Sequence, residues 1–330
     1  MKALIRADAA IEIGMGHRVR CQALASAFER LGWMCQFVVH HRYRQFASDH
    51  DLLIDCEDDL LPLAGQADLV ILDHYGYQAD DIARVFHSQP NLLVIDDMND
   101  RGTFPAKWLV NPLNQAYSSQ VVMPLIGGQY ALLRPSFSQH YSESIPPDRL
   151  LVTLGGTDPL ALTLPLLKAL EKAKFSLDKV QVMLGKNARN SAEVLAYCEE
   201  KHIVCLQGVS DVTPLMRQAR MAISAAGGTL FELACMGVPT VFAQVAENQT
   251  RSLEQHVPLA WCDTVRFDDV NERQRAERIE HLIRLVMIYW QDDSWLTKAR
   301  QVAQRLVDGK GADRVAKTVH QEFLGMMQCH

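Results

Sequence analysis

Two glycines, a histidine and two arginines stand together at Gly14-Met15-Gly16-His17-Arg18-Val19-Arg20. These types suit proton transfer beside an anion. An imidazole takes or gives a proton near neutral pH, and glycine lets a ligand approach the main chain. The spacing misses the dinucleotide fingerprint, because its third glycine would fall on Val19, and no Lys-Ser/Thr completes a P-loop. A second stretch, Ala225-Ala226-Gly227-Gly228-Thr229-Leu230-Phe231-Glu232, offers a phosphate backbone N–H groups and a hydroxyl. Glu232 lies one turn on, within reach of ribose hydroxyls. Gly155-Gly156-Thr157 is a third turn of this kind. Each has a plainer reading as well: His17 could cap or pack its turn, and glycine-rich strand-to-helix turns occur throughout α/β folds.

The elements that must position these residues are legible from periodicity. Short apolar runs predict strands at 3–6, 36–39, 69–72, 92–95 and 108–110, then at 150–154, 180–184, 203–206, 221–224 and 240–243. Helical spacing falls between them, at 17–31, 80–87, 191–201, 212–219, 229–236 and 248–255. After Asp158-Pro159, Pro165 makes the next helix start late, with Thr163 as cap and Pro165 in the first turn. The chain is helical from Asn271 onwards, and the charges of residues 271–280 form a solvated face. Alternating strands and helices predict parallel sheets. The polar stretch 141–148, with two prolines, reads as a linker. The expected architecture is therefore two Rossmann-like α/β domains, 1–143 and 149–330, facing a cleft, the second with a helical tail. Asp73-His74-Tyr75-Gly76, Asp96-Asp97 and Glu247-Asn248-Gln249 each follow a strand, at the sheet edge where open α/β sheets bind ligands. For Asp96-Asp97 capping of a turn is the expected role.

Composition excludes several classes. With 48% hydrophobic and 22% charged residues the chain is neither disordered nor membrane-like. A net charge of -6 argues against nucleic acid as a partner. Eight cysteines without a C-x-x-C pair suit a reducing, cytoplasmic setting, and the histidines show no metal-ligand spacing. Met1-Lys2 is followed too soon by Arg6 and Asp8 for a secretory signal, and no apolar run is long enough to span a bilayer. The expectation is a cytoplasmic protein with a small-molecule ligand, no membrane partner, no metal and no cofactor.

Taken in order, six pieces resemble the nucleotide-sugar hydrolases of pseudaminic acid biosynthesis, the PseG family, which is related to the two-domain GT-B glycosyltransferases. They are Ile5-Arg6-Ala7-Asp8 with residues 13–20, Leu72-Asp73-His74-Tyr75-Gly76, Tyr130-Ala131-Leu132-Leu133-Arg134-Pro135, Leu154-Gly155-Gly156-Thr157-Asp158-Pro159, residues 222–232, and Glu247-Asn248-Gln249. The resemblance implies a GT-B-like fold and hydrolysis of UDP-2,4-diacetamido-2,4,6-trideoxy-β-L-altropyranose. Water attacks C1 with inversion, UDP leaves, and no metal is required. It also implies roles. His17 is the base, while Tyr75 and Asn248 position sugar or water. Gly14, Gly16, Arg20, Asp73, Gly155, Gly156, Thr157, Gly227, Gly228, Thr229, Glu232 and Gln249 bind substrate, with main chain near Gly208 and Val209 on uracil. Gly228 departs from the family, which often has serine there. Two other functions fit the same residues: a GT-B glycosyltransferase using a UDP-sugar donor, and a non-catalytic UDP-sugar-binding module.

Overall fold

The structure, a computed structural model, describes all residues except 11–13, 114–115, 118–119, 139–145 and 329–330, and the side chains of 327 and 328. Ile13 of the glycine–histidine motif and residues 141–145 of the expected linker therefore lie outside the described residues. The chain forms two compact units, residues 1–138 with 308–330, and residues 139–307.

The first unit holds β1 (Lys2–Arg6), α1 (Gly16–Glu29), β2 (Met34–His40), β3 (Leu52–Ile54), α2 (Leu60–Ala64), β4 (Leu69–Leu72), α3 (Ala79–Ser88), β5 (Leu92–Ile95), β6 (Ala106–Asn111) and β7 (Val121–Ile126). Its seven strands are all parallel, in the order β3-β2-β1-β4-β5-β6-β7. Every residue of β4 and β5 is buried, as expected of strands covered on both faces. The two-residue pleat divides them. Ile5, Ile71 and Leu93 pack with Leu24 and Phe28 of α1, whereas Leu4, Val70 and Leu92 pack with Leu60 of α2 and with Ile82 and Val85 of α3.

The second unit holds β8 (Arg149–Thr153), α4 (Thr163–Lys172), β9 (Val180–Leu184), α5 (Ser191–Glu200), β10 (Val204–Gln207), α6 (Thr213–Gln218), β11 (Ala219–Ala225), α7 (Thr229–Cys235), β12 (Thr240–Gln244), α8 (Thr250–His256), β13 (Cys262–Arg266), α9 (Glu272–Trp290) and α10 (Asp293–Leu306). Its six parallel strands run β10-β9-β8-β11-β12-β13. The strands β3, β7 and β13 escape a reading by periodicity; β3 is only three residues long, and Pro124 interrupts β7 at the sheet edge. Helix α4 begins where Pro165 requires, inside the first turn. The cap position is Leu162 rather than Thr163, and the Asp158 carboxylate meets the first N–H groups, accepting from Leu162 N, Thr163 N and Thr163 Oγ1 at 2.9, 2.9 and 2.6 Å. The charged stretch 271–280 lies mostly exposed, with Asn271 capping α9.

The last helix, α11 (Gly311–Gln328), departs from the expected division at 149–330, because it groups with the first unit. Val315, Ala316, Val319 and Phe323 join the core beside Phe28 and Trp33, and Trp33 Nε1 donates to His320 Nδ1 at 3.1 Å. A Cβ on Gly311 would collide with the Ala131 carbonyl, so that position admits only glycine at this approach. Among the described residues no helix is long and apolar enough to cross a membrane.

Candidate active site

In both sheets the strand order reverses at one point, between β1 and β4 in the first unit and between β8 and β11 in the second. Parallel open sheets bind ligands at the carboxyl ends of the strands flanking such a point. His17 follows β1 and Asp73 to Tyr75 follow β4, so the first unit places them there by topology. Between β1 and α1, Gly14 N donates to Ala10 O at 2.8 Å. Gly14 has φ +77°, which disfavours any residue with a Cβ. Gly16 then opens α1 and His17 is its second residue, as the glycine spacing predicts.

His17 is 7% exposed, and its Nδ1 lies 2.7 Å from Oδ1 of Asp73, which is fully buried. An ionised carboxylate only accepts, so Nδ1 carries the hydrogen and donates it. The lone pair of the neutral ring is then on Nε2, on the far side from Asp73. Arg20, one turn along α1, donates from Nε and Nη2 to the two Asp73 oxygens, both at 2.6 Å. Burial opposes the charge on Asp73, but Arg20 first and then His17 hold its carboxyl far below the usual carboxylate range. Asp73 therefore stays anionic and orients the imidazole without itself taking the proton.

The third side of the Arg20 fork, Nη1, donates to Asp97 Oδ2 at 2.8 Å, and the Tyr75 hydroxyl donates to the same oxygen at 3.2 Å. The Tyr75 ring returns to His17 edge-on, with centroids 4.5 Å apart. Burial, and then the Asp97 charge, raise the Tyr75 hydroxyl above the ordinary tyrosine range, so it remains a donor. A pocket of about 100 Å³ opens beside His17, lined also by Asp8, Tyr43, Asp73, His74, Tyr75 and Gly76. His74 accepts the Gly76 N–H at Nδ1 (3.0 Å), which leaves its Nε2 to donate to Asp8 (3.2 Å). Asp8 is in turn paired with Arg6 at 2.6 Å, both buried.

In the second unit, the Gly155-Gly156-Thr157 turn follows β8, and the Gly227-Gly228-Thr229 turn follows its neighbour β11. A Cβ at Gly155, Gly156, Gly227 or Gly228 would meet nothing within 4 Å, so the main chain of both turns is open to an approaching group. Gly185, after β9, is the reverse: a Cβ there would land on the Gly156 carbonyl. We expect Gly185→Ala to push the Gly156 turn aside and cost about 1–3 kcal/mol in urea unfolding. A neutral result would show that the turn yields freely.

The expected residues divide accordingly. The first unit brings His17, Arg20, Asp73 and Tyr75 into one cluster, with Gly14 and Gly16 just before His17 in the chain. Of the expected substrate contacts, Asp73 is buried at the pocket wall and Arg20 gives its fork to two carboxylates, so both also hold His17. The second unit carries Gly155, Gly156, Thr157, Val209, Gly227, Gly228, Thr229 and Glu232 on its turns and in the first turn of α7, and Asn248 exposed after β12. Gln249 is 9% exposed, and its Oε1 accepts from Val245 N at 3.0 Å, a loop-holding bond. Asp96 caps its turn as expected, accepting from Met98 N and Asn99 N at 3.3 and 3.2 Å, while Asp97 joins the cluster instead. Gly185 is the position that sequence reasoning missed; Asp8 and His74 lie in stretches it singled out without giving them a role, and Asp97 in a pair it read as capping a turn.

No protein-family model matches the chain. The spore coat polysaccharide biosynthesis protein SpsG of Bacillus subtilis is 24% identical over 265 residues, 74% of this chain and 78% of that protein. A Helicobacter pylori protein described as pseudaminic acid cytidylyltransferase and UDP-2,4-diacetamido-2,4,6-trideoxy-β-L-altropyranose hydrolase is 24% identical over 76% of this chain, a match spanning 45% of its own length. The Campylobacter jejuni UDP-2,4-diacetamido-2,4,6-trideoxy-β-L-altropyranose hydrolase is 26% identical over 53% of this chain and 68% of that protein. Among solved structures, Acinetobacter baumannii MurG superposes with a TM-score of 0.67 at 13% identity, covering 97% of this chain and 99% of that one. Staphylococcus aureus MnaA, solved with UDP, gives 0.61 at 11% identity over 95% and 94%. The chain is thus a sequence relative of the UDP-diacetamido-trideoxy-altropyranose hydrolases, carried on the two-sheet fold of the GT-B glycosyltransferases.

Proposed function

We propose that this chain is a hydrolase that releases UDP from UDP-2,4-diacetamido-2,4,6-trideoxy-β-L-altropyranose in pseudaminic acid biosynthesis. The observation that carries the reading is the His17–Asp73 pair, which leaves a proton-accepting Nε2 on a ring that lines the pocket. Nε2 takes a proton from water as the water oxygen bonds to C1. The C1–O bond breaks on the opposite face, its electrons pass to the β-phosphate oxygen of UDP, and C1 is inverted. The imidazolium then returns its proton to solvent. Tyr75 presents its ring beside the base, and Asn248 keeps the positioning role that the resemblance implies. Nucleotide binding we assign to the second unit, where the open turns at Gly155, Gly156, Gly227 and Gly228 admit phosphate close to the main chain, with Thr157 and Thr229 as hydroxyl donors. Glu232 is assigned to the ribose and the main chain at Val209 to uracil. No step uses a metal or a cofactor, and the setting is the cytoplasm.

The similarity to a spore coat polysaccharide biosynthesis protein favours a second reading, transfer of the sugar from the same donor to a hydroxyl acceptor. Proton NMR of the purified protein with the UDP-sugar and no acceptor separates the two. We expect free UDP and free sugar of inverted C1 configuration. If the substrate survives intact while UDP still binds, transfer replaces hydrolysis as the reading. Binding with no turnover on any acceptor would leave only a UDP-sugar-binding module.

A further inference from the structure

His17, Asp73, Arg20, Asp97 and Tyr75 form a closed ring of contacts: His17 to Asp73, Asp73 to Arg20, Arg20 to Asp97, Asp97 to the Tyr75 hydroxyl, and the Tyr75 ring back to His17. Orientation of the imidazole needs only Asp73, and a neutral Asp73–Arg20 pair needs no second carboxylate. Asp97 is therefore unexplained by positioning of His17 alone. It is nonetheless held as an anion. Its burial favours the neutral acid, yet Arg20 keeps its carboxyl below the usual range, and its Oδ1 is buried with no hydrogen-bond partner among the described residues.

Charge balance supplies the reason. With His17 neutral, Asp73, Arg20 and Asp97 leave the ring with one net negative charge. When His17 takes a proton, the ring becomes neutral. Without Asp97 the same protonation would leave an uncompensated positive charge beside the buried His17 and Asp73, which is costly even though Arg20 and Asp97 are only partly buried. We propose that Asp97 is the counter-charge of the imidazolium form of His17, a positioning residue that acts through Arg20 and Tyr75 rather than by touching the ring. Arg20 also faces the ring directly, its Nη2 3.2 Å from His17 Nδ1, and the other groups that face His17 do not supply the negative charge. Asp8 is paired with Arg6, His74 donates to Asp8, and Cys21 donates to Asp73 Oδ2 at 3.4 Å, its thiol pushed up by burial and by Asp73. Tyr43, on the pocket wall, carries no carboxylate.

This inference gives the base of the proposed hydrolysis its electrostatic partner and rests on that reading, but it can be tested without turnover. The experiment is an NMR pH titration of the full chain carrying 13C-labelled histidine, with the His17 signal assigned by its loss in His17→Gln. Removing a negative charge makes the imidazolium less favourable. In Asp97→Asn, which keeps the shape and one acceptor oxygen, the His17 midpoint should therefore move to lower pH by roughly half to one pH unit. The remaining histidine signals should overlay those of the wild type. The acid limb of the pH–rate profile for UDP release should move in the same direction. An unchanged or higher midpoint in a natively folded Asp97→Asn overturns the inference. If that variant does not fold, Asp97→Ser, which removes the same charge, decides by the same readout. Failure of the wild type to release UDP would remove the hydrolase reading and leave the titration result standing, so the two failures are distinguishable.

Discussion

His17→Phe folds as the wild type does and binds UDP with unchanged affinity, but loses UDP release by about 10²–10⁴-fold, the range a general base contributes. The fold is expected to survive because the variant orphans no charge: Asp73 keeps its two bonds from Arg20 and the contact from Cys21. A phenyl ring also preserves an aromatic edge contact for Tyr75. Calorimetry with UDP and a coupled assay for UDP release check the two halves. A variant that retains more than about a tenth of the wild-type rate removes His17 as the base, since a lost general base costs far more than that.

Asp73→Asn affects stability and rate together. An amide in place of the carboxylate can present N–H to His17 Nδ1, which moves the ring hydrogen to Nε2 and removes the lone pair that would accept the proton of water. A wrong tautomer of this kind lowers turnover by about 10³–10⁴-fold in triads that share the geometry. Arg20 is left with Asp97 as its remaining charged partner, and breaking a buried ion pair costs on the order of 3 kcal/mol. The pH dependence has a definite sign. Asp73 ionises far below the usual carboxylate range in the folded chain, mainly because Arg20 and His17 overcome the opposing effect of burial. Its stabilisation is therefore complete above that usual range. It is lost as pH falls below about 4, where the unfolded chain binds a proton that the folded chain does not. Urea unfolding between pH 3 and pH 7 should accordingly be flatter for Asp73→Asn than for the wild type. Equal slopes would mean that Asp73 contributes no charge to the folded state.

His17 and Asp97 contrast in how far a sequence can be read. His17 was legible because its signals are local: a strand, a positive-φ glycine, then helical spacing, all within a few residues. Asp97 was read as half of a capping pair, and one half of that reading holds for Asp96. Nothing in a pair of adjacent aspartates tells which one turns toward an arginine 77 residues earlier. Gly185 was missed for the same reason, since its neighbour is a carbonyl on another strand's turn.

By itself the sequence determined two α/β halves with parallel sheets, the glycine turns that open them, and a histidine in the first turn of a helix. Each of these depends on periodicity, backbone freedom and strand burial over short spans. Only the tertiary structure decided that Asp73 lies under His17, across 56 residues, and that Arg20 joins two carboxylates from two other strand ends. It alone also returned α11 to the first unit. The amphipathic pattern of α11 states that one face must be buried but not against which sheet. The order β1-β4-β5 sets strand ends side by side that no local pattern connects. The charges at those ends find their partners only once the crossovers are made.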